Sequence, residues 1–277
     1  MGEAPETQGR PVALVTGGSR GIGAATVLAL AQRGYDVAFT YRNKASRAET
    51  VAAEAQEYGV SALTIGGDMT RPDDLQHLLA TLRDWRNQLD LLVLNASGGL
   101  EREPLATDPG YPMRINRDAQ LALVAGALPL LANHHSGATI IFVTSHWAYL
   151  YGQVQQLPAY EAVAASKHAG EEAIRARLPE LTKRGIRLLI VTADVVEGTI
   201  TPRLLERAAP GLRQTWRRET GALPTAERMG ALIAAAATDT TLVTNSVIVI
   251  GGALDALPRL DAAQGESTLP EEKEHHA

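Results

Sequence analysis

Within its first 34 residues the chain passes from a short apolar run, Pro11-Val12-Ala13-Leu14-Val15-Thr16, through Gly17-Gly18-Ser19-Arg20-Gly21-Ile22-Gly23, into an Ala/Leu-rich stretch that runs to Arg33 and stops at Gly34. This pattern predicts a strand, a glycine turn and a helix. Glycines in such a turn let a pyrophosphate approach the backbone, and the helix start beyond it offers free N–H groups and the positive end of the helix dipole. A tight left-handed turn with no ligand would use the same residues, so the rest of the chain must decide between the two.

Strand and helix patterns alternate along the remaining length, which argues for one doubly wound α/β domain. At 277 residues and 45% hydrophobic content the chain can bury a large core, and no second domain is expected. Residues 11–260 are expected to form the domain. Residues 1–10 and 261–277 are polar and charged without apolar periodicity, and are expected to be mobile tails. The chain has no cysteine, so disulfides and thiolate chemistry are excluded. No leader-like apolar segment and no run of 18 apolar residues occurs, so a cytoplasmic protein without membrane contact is expected. A net charge of −5 gives no footprint for nucleic acid.

Thr16 to Gly23 resembles the cofactor turn of the short-chain dehydrogenase/reductase family, and further landmarks follow in order. Asp68, with Met69 beside it, follows the third apolar strand (residues 60–65), where the family's aspartate contacts adenine. Leu94-Asn95-Ala96-Ser97 ends the fourth strand where the family has Asn-Asn-Ala-Gly. Asn116 falls at the family's structural and catalytic asparagine, Ser145 ends the fifth strand (Ala138 to Thr144) at its substrate-polarising serine, and Lys167 follows Ser166 on the next helix. Val247 to Gly252 resembles the last strand and its glycine pair. The resemblance implies a Rossmann-like parallel sheet of about seven strands with a helical substrate lid at about residues 195–224. It also implies a nicotinamide dinucleotide held by Gly17, Ser19, Arg20, Gly21, Ile22, Gly23, Asp68, Met69, Asn95, Ala96 and Ser97.

The second strand, Asp36 to Tyr41, ends where members that prefer NAD carry an acidic residue for the ribose 2′-OH. Here Tyr41 is followed by Arg42, with Arg20 in the glycine turn and Lys44 close by. Two arginines facing a 2′-phosphate favour NADP(H), because the guanidinium fork suits phosphate geometry. The alternative is that both are ordinary surface arginines.

The family's catalytic tyrosine stands four residues before its lysine, and that position is Val163, which cannot move a proton. Tyr160 stands seven residues before Lys167. Seven residues turn a helix through nearly two revolutions, which predicts that both side chains share one face about 10.5 Å apart along the axis. The Tyr-x6-Lys arrangement resembles the enoyl-thioester reductases of the same superfamily. Enone reduction delivers hydride to a β-carbon two bonds beyond the carbonyl carbon, which suits a displaced donor. Retention of Ser145 resembles ketone reductases instead. The resulting expectation is an NADPH-dependent reductase of a ketone or an enone. Tyr160 is the proton donor, Lys167 holds the nicotinamide ribose and favours the tyrosinate, Ser145 binds the oxygen, and Asn116 completes the set. A non-catalytic NADP(H)-binding sensor is the other reading, because the family's tyrosine is missing.

The Ser145 to Lys167 interval exceeds the family's, so the loop Trp147 to Pro158 is expected to cover the site. Trp147, Tyr149 and Tyr151 concentrate aromatics in a chain with only 4% of them, which suits either a wall for a flat hydrophobic substrate or plain loop packing. His146 is a reserve donor, although neighbouring strand residues point to opposite faces. His134 and His135 lack further ligands at useful spacing, and no metal is expected. Ala193-Asp194 replaces the family's Pro-Gly, and Thr199 is expected at the nicotinamide amide. Arg203 and Arg207, then Arg213 and Arg217, repeat at i, i+4 and would either be solvated or dock a phosphopantetheine or acidic carrier protein. The family resemblance further implies a homodimer or homotetramer packed through the helices that carry Asn116 and Lys167.

Overall fold

Seven apolar segments pair in one parallel sheet of order β3-β2-β1-β4-β5-β6-β7: β1 Val12–Val15, β2 Asp36–Tyr41, β3 Ala62–Gly66, β4 Leu91–Leu94, β5 Thr139–Ser145, β6 Arg187–Ala193 and β7 Val247–Ile250. The computed structural model describes residues 9–100, 108–132, 137–208, 210–211, 223–252, 254 and 257. The central strands β1 and β4 are buried at every position, as expected of parallel strands covered on both faces.

Successive side chains of each strand enter opposite layers. Ala13, Val15, Val37, Phe39 and Val93 pack beneath α1 (Gly21–Ala31), α2 (Ala45–Gln56) and α9 (Ala226–Thr238). Val12, Leu14, Leu92, Leu94 and Ile140 pack beneath α3 (Pro72–Trp85), α4 (Ala119–Ala132) and α6 (Glu161–Arg175). Two short helices lie between β5 and β6 besides α6: α5 (His146–Tyr149) directly after β5, and α7 (Leu178–Lys183) before β6. A π-helical turn, Arg114–Asp118, feeds α4 and carries Asn116. α6 lies against that turn so closely that a Cβ on Gly170 would stand 2.2 Å from the Asn116 carbonyl oxygen.

The expected doubly wound sheet is therefore the observed one. Boundaries shift by one or two residues: β3 begins at Ala62, and β5 runs on through Ser145. In the expected lid the described part forms α8 (Ile200–Ala208). His134, His135, Arg213, Arg217, residues 1–8 and residues 261–277 lie outside the described residues. Among the described residues no helix is long and apolar enough to cross a membrane, and no cluster of three His, Cys, Asp or Glu could hold a metal.

Candidate active site

The chain runs from β1 outward to β3, then returns to β4 on the other side of β1, and a cleft of about 740 Å³ opens at the carboxyl ends of the strands around that reversal. Thr16 ties its two sides together. Its hydroxyl accepts from the Asn95 and Ala96 amides at 2.9 and 2.8 Å, while the Asn95 side chain donates to the Thr16 carbonyl at 2.9 Å. The glycines of the turn are required by crowding: a Cβ on Gly18 would meet Phe39 at 2.5 Å, and one on Gly23 would meet the Gly17 carbonyl oxygen at 2.2 Å. Gly17 and Gly21 hold φ of 71° and 54°, a region that suits glycine. α1 begins with no capping side chain and no acidic residue in its first turn. Its leading N–H groups are thus available to an anion. These features fit the diphosphate of a dinucleotide.

Four cations line one end of the cleft: Arg20, Arg42, Lys44 and Arg47. Arg42 donates to the Tyr111 hydroxyl, and its guanidinium carbon lies 5.7 Å from the centroid of that ring. Arg47 and Tyr111 were not anticipated. The spacing of Arg42, Lys44 and Arg47 across a strand end and a helix start could have revealed the first. Nothing local marks Tyr111. Tyr41, Asp68, Met69, Asn95, Ala96 and Ser97 all line the cleft. Asp68 Oδ1 accepts from the amide and hydroxyl of Thr70, which fixes the carboxylate at the cleft wall.

At the other end the Tyr160 hydroxyl donates to Ser145 Oγ at 3.1 Å. α6 starts at Glu161, so Tyr160 is its N-cap, with φ −113° and ψ −11°, and both Tyr160 and Lys167 line the cleft. The Tyr160 ring stands edge-on to Trp147, centroids 6.1 Å apart. Val163 is buried where the family's tyrosine would be, its methyl only 3.1 Å from the place a Cβ on Gly99 would take. Lys167 is buried and donates to the Val143 carbonyl at 3.3 Å. Burial pushes the Lys167 ammonium down to about 8, with Glu171 opposing. Burial pushes the Tyr160 phenol above its ordinary value, and the bond to Ser145 only partly offsets this. In the free protein burial thus favours the phenol form of Tyr160.

Asn116 is tied to the fold by its side chain, which donates to the Gly98 carbonyl and to Ser166 Oγ, both at 2.9 Å. The anticipated aromatic wall is reduced to Trp147. β5 ends at Ser145, α5 begins at His146, and the His146 ring turns into the core with its nitrogens 3.0 Å from Thr192 Oγ1 and from the Gly252 carbonyl. Since a carbonyl can only accept, Nε2 donates to Gly252 and neutral Nδ1 accepts from Thr192. His146 thus has no nitrogen free for a substrate. Tyr151 packs on His168 at 5.7 Å, and neither it nor Tyr149 lines the cleft. Thr199 and Arg203 line it, as does Asp194, while Arg207 stands exposed away from it.

A parallel sheet with a glycine-turned cleft at its carboxyl ends defines a dinucleotide-binding α/β protein. The short chain dehydrogenase family pattern matches residues 11–208, and the chain belongs to that family of nicotinamide-dependent oxidoreductases. It is 28% identical over 193 residues to 1-cyclohexenylcarbonyl-CoA reductase of Streptomyces collinus, covering 68% of this chain and 65% of that one, under two thirds of the relative's length. It is 28% identical over 197 residues to 3-oxoacyl-(acyl-carrier-protein) reductase FabG of Staphylococcus aureus, 69% of this chain and 77% of that one. A crystal structure of a dehydrogenase/reductase from Sinorhizobium meliloti superposes with a TM-score of 0.74 at 28% identity, over 87% of this chain and 93% of that chain.

Proposed function

We propose that the protein is an NADPH-dependent carbonyl reductase in which Tyr160, held on Ser145, donates the proton. The observation that carries this reading is the 3.1 Å contact between the two hydroxyls at the inner end of the cleft. Two hydroxyls that close can bind one substrate oxygen together. A reduced nicotinamide dinucleotide bound in the cleft supplies the hydride. Tyr160, protonated at rest, gives its proton to the oxygen as negative charge gathers there, and Ser145 donates a hydrogen bond to the same atom. Lys167 sets a positive charge at the base of the cleft, where it favours the tyrosinate left after transfer and can hold ribose hydroxyls. Arg20, Arg42, Lys44 and Arg47 would hold the 2′-phosphate, Thr199 the nicotinamide amide, and Trp147 the substrate. Exposed Ala122, Ala125 and Ala162 mark the outward faces of α4 and α6 on which a dimer or tetramer would form.

A second reading, reduction of an enone, is favoured by the seven-residue Tyr160 to Lys167 spacing and by the likeness to the Streptomyces reductase. In either case Arg203 at the cleft mouth suits a substrate carrying an anionic group, such as a phosphopantetheine thioester.

Paired saturated ketones and enones, offered with NADPH to wild type and Tyr160→Phe, test the proposal. The expected result is ketone turnover that falls roughly 10²–10⁴-fold in the variant while NADPH affinity stays nearly constant, because only the hydroxyl is removed. Turnover of enones alone selects the second reading. Full activity in the variant removes Tyr160 as the donor, and binding of NADPH without turnover of either class leaves the non-catalytic sensor.

A further inference from the structure

Asp194 occupies a position that proton transfer and phosphate binding leave unexplained. In the sheet, Ser145 of β5 lies level with Ala193, the last residue of β6. Asp194 follows directly, lines the cleft and is 7% exposed. One carboxylate oxygen accepts from the Val195 amide at 2.7 Å. His146 faces the Asp194 carboxylate, which favours its protonated form, but burial outweighs this and holds the imidazole below its ordinary value, and both ring nitrogens are occupied by Thr192 and Gly252. Lys167 shares the cleft but spends a donor on the Val143 carbonyl.

Hydride transfer brings the donor carbon to within about 3–3.5 Å of the acceptor carbon. With the acceptor's oxygen on Ser145 and Tyr160, a redox-active ring within reach of that carbon would lie near the β5 and β6 ends, where Asp194 lines the cleft. The step moves one hydrogen with its electron pair from the ring to the substrate carbon, and one proton from Tyr160 to the substrate oxygen. The ring thereby passes from neutral to singly positive.

Resting on the reading of this cleft as a nicotinamide site, we propose that Asp194 discriminates between the redox states of the cofactor: its carboxylate stabilises the cationic oxidised ring and leaves the neutral reduced ring almost unaffected. A unit charge several ångströms away, partly screened, alters an affinity by about five- to tenfold. The same attraction acts on the positive charge that develops during hydride donation, so Asp194 assists reduction at the cost of slower release of the oxidised product.

The test is binding, without turnover. NADPH, NADP⁺ and adenosine 2′,5′-bisphosphate are titrated against wild type, Asp194→Asn, which keeps an acceptor for the Val195 amide, and Asp194→Glu, which keeps the charge. NADP⁺ is expected to weaken about five- to tenfold in Asp194→Asn, with NADPH and the bisphosphate changing less than twofold, and Asp194→Glu is expected to restore most of the difference. Parallel weakening of NADP⁺ and NADPH overturns the proposal, since it marks a residue that only supports the turn. Should Asp194→Asn fail to fold, Asp194→Ser, which also offers an acceptor, is held to the same ratio. If wild type binds none of the three compounds, the dinucleotide reading itself falls, an outcome distinct from an unchanged ratio.

Discussion

Tyr160 and Val163 stand three positions apart at the start of α6. Valine at the family's tyrosine position is buried against Gly99, while the Tyr160 hydroxyl, three residues earlier, lies 3.1 Å from Ser145 Oγ. Charge at this end of the cleft depends on Lys167. Its ammonium, lowered to about 8 by burial, is protonated below that pH and neutral above it. Affinity for the anionic cofactor is therefore expected to decline as pH rises through about 8, and Lys167→Arg, which stays charged, is expected to flatten that decline. Titrations of NADPH at a series of pH values between 6.5 and 9.5 measure it. The same decline in both proteins would assign the titration to another group.

At the scale of elements, two helix starts converge on the cation-rich end of the cleft. Arg20 stands at the N-cap position of α1 and Lys44 at that of α2, neither making a capping side-chain bond, and Arg47 lies in the first turn of α2; neither helix has an acidic residue in its first turn. Positive side chains at the positive end of a helix dipole are unfavourable by roughly 0.3–1 kcal/mol each unless an anion is bound there. This cost is understandable if the corner receives a phosphate. NADPH is then expected to bind at least tenfold tighter than NADH, about 1.4 kcal/mol. Arg42→Ala and Arg47→Ala should each erode that preference, as fluorescence titration of the two cofactors would show. Equal affinities in wild type would return all four residues to the status of ordinary surface cations. Arg20 and Arg42 could be expected at this corner from their places just past the ends of β1 and β2; that Tyr111 would reach Arg42 from 69 positions away depended on the fold.

For the whole molecule, His146 is a clasp linking the end of β5 to β6 through Thr192 and to the segment after β7 through Gly252. Burial lowers its affinity for a proton in the folded state, so unfolding takes up a proton as pH falls below the ordinary imidazole value of 6.5. The stability contributed by the neutral imidazole is complete above that value and is lost as pH drops toward the folded-state value. Thermal melts between pH 7.5 and 5 should show a steeper loss in wild type than in His146→Gln. Parallel curves would mean that His146 is not the group responsible.

The order of strands and helices, the glycine turn and most of the cleft lining were legible in the sequence. Burial imposes periodicity on each element, and crowding against Phe39 and the Gly17 carbonyl admits only glycine at Gly18 and Gly23. Such constraints act within a few residues of chain; the count of about seven strands came from the family resemblance. The contact of Tyr160 with Ser145 was not determined locally, because it joins the N-cap of α6 to the end of β5, 15 positions earlier. The direction of His146 was not local either, since alternation along β5 ends where α5 begins. Its bond to Gly252 joins positions 106 apart. Only the assembled sheet, which brings the ends of β5, β6 and β7 side by side, could decide that His146 belongs to the core and Asp194 to the cleft, because those contacts depend on the path of the whole chain.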